Sequence, residues 1–191
     1  MIWAGMPDWV SFALFLPADK PLGVPPTSPR AWREWVQGLG GWDLGLQTIR
    51  LTLIGASPVV VIVETPEFSV AEHEVPDGHK LLHRTGGADI SPRAINVELD
   101  SFGATFPTIS WTETGGASST RPVSFSLGKN EAEQILINIS SDRQRLFEWT
   151  ARLPILVDGR RHYLEIDDAG QPFKFVGGAQ TSGLVSPTPE N

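Results

Sequence analysis

Apolar residues recur at every second position along most of this chain, in short runs. Ile49, Leu51 and Leu53 alternate with Arg50 and Thr52, and the same period returns at Ile95, Val97 and Leu99, at Val123, Phe125 and Leu127, and at Ile135, Ile137 and Ile139. A period of two is that of a strand with one buried face. Residues 59–63, Val-Val-Val-Ile-Val, form an unbroken β-branched run instead, which predicts a strand covered on both faces. Residues 9–16 predict the first strand, with Phe12, Leu14 and Leu16 on one face, residues 106–111 a further one, and Phe173 with Phe175 the last.

The most informative stretch is residues 147–166. Asp158-Gly159 separates two alternating runs, and Asp-Gly is a strong signal for a two-residue turn in which both residues take positive φ. The implied register pairs Val157 with Arg160, Ile155 with His162, Leu153 with Leu164 and Ala151 with Ile166, and it sets Arg152 opposite Glu165. Pro154 then faces Tyr163 in a pair without hydrogen bonds. Its missing N–H predicts a sheet edge or a bulge at that point.

Helical spacing occurs once. Ser28 suits an N-cap and Pro29 a first helical position, and Trp32, Trp35, Val36 and Leu39 repeat at i, i+3, i+4 and i+7 before Gly40-Gly41, which predicts a short helix over 29–39. Prolines at 17, 21, 25 and 26 make residues 17–28 an irregular connection. Between 64 and 84 the alternation degrades, and Pro66, Pro76 and Asp77-Gly78 predict a long loop or an irregular edge strand. Residues 114–120, rich in Gly, Ser and Thr, predict a mobile loop. The whole predicts an all-β, antiparallel two-sheet β-sandwich of about eight or nine strands with one short N-terminal helix. A barrel is the second choice. We expect one domain over residues 1–177 and a flexible tail over 178–191.

Composition narrows the function classes. A chain of 191 residues with 40% hydrophobic content can bury one substantial core. The 19 Gly and 16 Pro are scattered between the apolar runs, which excludes helical repeats and coiled coils. A net charge of -7 without long charged runs argues against nucleic acid and anionic membranes, leaving a protein or a small molecule as partner. With no cysteine, disulfides, thiolate metal sites and a cysteine nucleophile are excluded. The apolar stretch 9–16 has no Lys or Arg before it and is far short of the roughly 20 residues that span a bilayer. We therefore expect no membrane insertion by this chain and favour a cytoplasmic location.

Candidate chemistry is sparse. Segment 73–83 holds His73, His79 and His83 beside Glu72, Glu74 and Asp77, so a metal-binding protein or enzyme centred there is one alternative. In an extended strand, however, His79 and His83 would stand roughly 13 Å apart at about 3.3 Å per residue. Asp167-Asp168 followed by Gly170 reads as a turn rather than a calcium loop. Of the tryptophans, Trp32 and Trp35 belong to the helix and Trp149 to the inner hairpin face, which leaves Trp42 and Trp111 as the side chains freest to stack on a sugar. A carbohydrate-binding module is thus a second alternative. Arg160-Arg161 reads as a solvated hairpin end, and the sequon Asn138-Ile139-Ser140 lies in a predicted strand. There is no G-x-S-x-G elbow, P-loop or H-E-x-x-H pair. The leading expectation is a non-catalytic recognition or accessory module, protein-binding or sensory, with no catalytic, cofactor or metal residues assigned.

The succession Trp35-Val36, Gly40-Gly41, Asp43, Ile49 to Leu53, Gly55, Val60 to Ile62, Val97 to Asp100, Trp149, Asp158-Gly159, Ile166 to Asp168 and Gly170 to Phe173 resembles an uncharacterised family of bacterial β-sandwich domains frequent in actinobacteria. The resemblance covers residues 30–176 and implies an accessory or sensory role, because such domains often follow a transmembrane helix or are fused to other modules. This chain departs from that arrangement in having no such helix, and the resemblance brings no catalytic residues with it.

Overall fold

A computed structural model describes residues 2–5, 12–20, 24, 26, 29–56, 58–83, 93–99, 108–112, 118–119 and 123–178. Its first half runs β1 (Ile2–Gly5), β2 (Phe12–Pro17), α1 (Pro29–Gly38), β3 (Trp42–Leu44), β4 (Leu46–Ile54), β5 (Val59–Val63), β6 (Glu67–His73) and β7 (Gly78–His83). Then follow β8 (Arg93–Glu98), β9 (Thr108–Thr112), β10 (Ser118–Ser119), β11 (Val123–Leu127), β12 (Ala132–Ser140), β13 (Leu146–Val157), β14 (Arg160–Ile166) and β15 (Phe173–Val176). These strands form a six-stranded sheet, β1-β4-β12-β8-β9-β10, and a nine-stranded sheet, β11-β5-β13-β15-β3-β2-β7, with β6 and β14 also paired to β13.

Strands therefore outnumber the eight or nine expected. Of the two readings of the degraded stretch 64–84, a long loop or an irregular edge strand, the second is the nearer: the stretch supplies two strands, β6 and β7, with β7 at the end of the nine-stranded order, and the Ser/Thr-rich stretch contributes β10. The sheets are also not wholly antiparallel, since β8 runs parallel to β12 and β3 parallel to β15. Alternation reports which face is buried; it is silent on strand direction. The remainder of the 114–120 loop, Ser28 and residues 179–191 lie outside the described residues, while Gly178 at the start of the expected tail donates its N–H to the Ser141 carbonyl at 2.8 Å.

One buried cluster draws on both sheets. Ile49, Leu51 and Leu53 of β4, Ile95 and Val97 of β8, and Ile135, Ile137 and Ile139 of β12 pack with Val61 and Val63 of β5 and with Phe147, Trp149, Ala151, Leu153 and Ile155 of β13. Full burial of each large aliphatic contributes about 1.5–3 kcal/mol. The β5 run is covered on one face only: Val61 and Val63 are buried, whereas Val60 is 54% and Ile62 38% exposed. A β-branched run satisfies strand propensity whichever face is covered, so the run alone could not distinguish the two cases. For β2 the correction goes the other way. Leu14 and Leu16 pack against Val36 and Leu81, and Ala13 and Phe15 join a separate cluster with Leu44, Leu146 and Val176.

Strand β13 is the spine of the larger sheet. Along one edge it pairs with β15 over its first residues and with β14 over the rest; along the other it pairs with β6 and then β5. The β13/β14 hairpin has the expected register from Ala151↔Ile166 to Val157↔Arg160, with Asp158 at φ 48 and Gly159 at φ 77. Pro154 is not at a sheet edge. Ile155 faces Val63 while Arg152 faces Glu67, so Leu153 and Pro154 stand opposite Glu64, Thr65 and Pro66, a one-residue bulge between β5 and β6. The ladder is interrupted where Pro154 lacks its N–H, and its carbonyl still accepts from Glu64 N at 3.0 Å.

Candidate functional site

Helix α1 ends in a Schellman arrangement. Gly41 N donates to the Val36 carbonyl and Gly40 N to the Gln37 carbonyl, both at 2.8 Å, with Gly40 at φ 73. The chain can then turn directly into β3, because Gly41 has no Cβ to meet Val36 and the Phe15 carbonyl. Opposite this helix end, the path along β13 breaks between β14 and β15. Residues 167–172 leave the sheet as a tight turn, in which Asp168 and Gln171 exchange backbone bonds of 2.7 and 3.1 Å and Asp167 Oδ1 accepts from Gly170 N at 2.8 Å. Ala169 at φ 53 and Gly170 at φ 85 occupy the corner, so the expected turn is present, with an alanine held in the left-handed region.

Between the helix end and this turn lies a cavity of about 430 Å³. Its described lining comprises Gln37, Gly40 and Gly41 from the helix end, Leu14 of β2, Trp42, Asp43 and Gln47 from β3 and β4, and Asp168, Gln171, Pro172, Phe173 and Lys174 from the turn and β15. Leu14, Phe173 and Trp42 belong respectively to the helix cluster, the main core and the third cluster, so the cavity marks the place where the three meet.

A chain of buried polar groups leads into it. Trp149, 1% exposed and stacked on Phe173 at 4.8 Å, donates its Nε1–H to Gln47 Oε1 at 2.7 Å. Gln47 Nε2 in turn donates to Asp43 Oδ2 and to the Lys174 carbonyl, both at 3.0 Å. Gln47 is 2% and Asp43 5% exposed, and burial of such groups is tolerated only with partners of this kind. The Lys174 ammonium pairs with Glu148 Oε1, 2.5 Å away, and His73 Nε2 lies 3.6 Å from the other carboxylate oxygen. The hydrogen bond from Lys174 holds the Glu148 carboxyl below its ordinary value, with a smaller contribution from His73.

The residues singled out in the sequence are dispersed differently. Trp42 stands at the cavity wall, but its ring stacks on Phe15 at 5.8 Å with an interplanar angle of 2° and packs into the third cluster, so it is less free than its Gly-rich neighbourhood suggested. The side chains of Trp111 and His83 lie outside the described residues. His73 sits on β6 opposite Leu146 and His79 on β7 opposite Leu16, with β13, β15, β3 and β2 between them in the pairing order. Among the described residues no three His, Asp or Glu side chains are grouped to hold a metal. Arg161 at the hairpin end is paired, donating to Glu64 Oε1 at 2.8 Å, a bond that raises its pKa. The Asn138 amide is occupied in a side-chain ladder with Thr48 and Asn96.

Gln47, Gln171 and Lys174 were not anticipated. For Gln47 a signal existed: position 47 shares the parity of Ile49, Leu51 and Leu53, so a polar residue there had to be buried with partners. Comparison with protein-family models, curated proteins and solved structures finds no match. No helix among the described residues is long and apolar enough to cross a membrane.

Proposed function

We propose that this chain is a two-sheet β-sandwich acting as a non-catalytic recognition module, accessory or sensory in role, that receives part of another protein in the cavity between α1 and the 167–172 turn. The resemblance to the actinobacterial-type sandwich family belongs to the same proposal. The observation that carries it is the buried chain Trp149–Gln47–Asp43, which leads from the main core to the cavity wall. Polar groups fixed in this way from behind are suited to selecting a ligand by its hydrogen-bonding pattern. The described lining offers amides, carboxylates and an engaged lysine, with no Ser, Thr or His beside them, a composition that supports binding over nucleophilic chemistry.

The test is an amide-resolved magnetic resonance titration with capped tripeptides whose central side chain covers each chemical class. At least one class is expected to shift the amides of Gly40, Gly41, Gln47 and Gln171 together while the peptide stays intact. Shifts confined to the outer sheet faces, or consumption of the peptide, overturn the reading.

A further inference from the structure

We infer that the outer edge of β14 is an interface between two copies of this chain, on which β14 of the second copy pairs antiparallel about a two-fold axis through Tyr163. The inference is independent of the cavity and begins with the backbone. Strand β14 is paired with β13 along one side and, among the described residues, with no strand along the other. Tyr163 stands opposite Pro154, which has no N–H to give and whose carbonyl accepts from Glu64 on the far side of β13. Both backbone groups of Tyr163 therefore point away from β13, and by the alternation of an antiparallel ladder so do those of Arg161 and Glu165. An edge that presents N–H and carbonyl groups in this way is a template for a further strand.

The side chains select which strand that is. Charges on an edge ordinarily repel a second strand, but the order Arg161, Tyr163, Glu165 is complementary to its own reverse. An axis through Tyr163 sets each Arg161 opposite Glu165 of the second copy and pairs every residue of β14, and its hydrogen-bonded positions are the three whose groups point outward. These three side chains share the solvent face of the sheet with Arg152, which lies opposite both Glu165 and Glu67. Across the joined edges the signs alternate, from Glu67 to Arg152, to Glu165 and on to Arg161 of the second copy. Arg161 is bonded to Glu64 and Glu165 to Arg152, yet their side chains are still 55% and 68% exposed. A guanidinium with five donors and a carboxylate with two oxygens can each take the new partner and keep the old one. Tyr163, 43% exposed with the Arg152 guanidinium 3.8 Å from its ring centre, meets its own copy at the axis.

Sedimentation equilibrium of the full chain and of the single variants Arg161→Glu and Glu165→Arg tests this. The wild type is expected to be a reversible dimer, a weak one because the interface is small. Each variant sets like charges opposite one another twice and should associate at least about tenfold more weakly. Mixed in equal amounts, the two variants set an acidic edge against a basic one, and association should return to near the wild-type level. A loss caused by misfolding, or by the broken pairs with Glu64 and Arg152, would not be restored by mixing. Amide hydrogen exchange reads the register. As concentration rises, the amides of Arg161, Tyr163 and Glu165 should slow, while those of His162 and Leu164, which face β13, should not change. Undiminished dimers in both single variants, a mixture no tighter than either variant alone, or a wild type still monomeric at about 1 mM overturns the inference. So does a wild type that is monomeric by itself and protects these three amides only when a strand of other sequence is added.

Discussion

At the residue scale, the decisive side chain is Gln47, a polar residue on the inward parity of β4. Its cost of burial is offset by three bonds that tie Trp149, Asp43 and the Lys174 carbonyl to one amide. Gln47→Met keeps the volume but leaves the indole N–H without its acceptor and Asp43 without one donor. Each group so stranded costs about 1–3 kcal/mol, so urea unfolding should show a loss well above that of an ordinary surface substitution. An unchanged midpoint would mean that the relay contributes nothing. Glu148 allows a pH prediction. Its folded pKa lies below the ordinary value, so the stabilisation is fully present above that value and is lost as pH falls through the folded one. Glu148→Gln should accordingly lower stability at neutral pH, by no more than about 1 kcal/mol for a partly exposed pair, and the difference from wild type should vanish in acid. A gap that persists or widens at low pH would refute the assignment.

At the element scale, the hairpin of β13 and β14 was fully legible because two independent codes coincide in it: Asp158-Gly159 fixes the turn, and the alternation on either side fixes the faces. The stretch that holds β6 and β7 read only as a loop or an irregular edge strand, and for β6 the reason is physical. Most of β6 is solvent-exposed, with only Phe68, Val70 and their neighbours on β13 giving it an inner face, so its sequence lacks the apolar contrast on which a periodicity argument depends. Likewise Pro154 announced an irregularity at the right place but left edge and bulge undecided, because a bulge between β5 and β6 removes the need for its N–H as well as an edge would. The cavity was illegible as a unit, since it is assembled from a helix end, strands β2, β3, β4 and β15, and a turn that lies more than a hundred residues beyond β4 in sequence. Gly40-Gly41 was legible as a helix stop but not as a spacer. A Cβ on Gly41 would lie 2.3 Å from Val36 Cγ1 and 2.8 Å from the Phe15 carbonyl, so α1 can approach β2 this closely only with glycine there. Gly41→Ala should cost about 1–3 kcal/mol and should shift amide resonances on both sides of the cavity. A stable variant with unmoved resonances would show that the contact is not tight.

At the scale of the whole molecule, the question is which parts yield together. The main cluster contains side chains of β4, β8 and β12 from one sheet and of β5, β13 and β15 from the other, and Arg143 adds a polar tie by donating both to Glu72 of β6 and to the Leu99 carbonyl beyond β8. The two sheets are therefore one cooperative body. Helix α1 is secured differently, through Val36 against Leu14, Leu16 and Leu81, a small cluster of its own, with the cavity along the seam. Small satellite clusters open at lower free energy than the core they border, which is the property a ligand site needs to admit its guest. Ile137→Ala discriminates between these couplings. The side chain is fully buried in the six-stranded sheet, and its truncation should cost about 2–5 kcal/mol. If the sheets unfold as one body, hydrogen exchange should accelerate by the same factor in β12 and in β13, although β13 lies in the other sheet. Amides of α1 that exchange by local opening should keep nearly wild-type rates, because their own cluster is untouched. Acceleration confined to β12 would divide the body into two independent sheets, and equal acceleration in α1 would remove the seam on which access to the cavity depends.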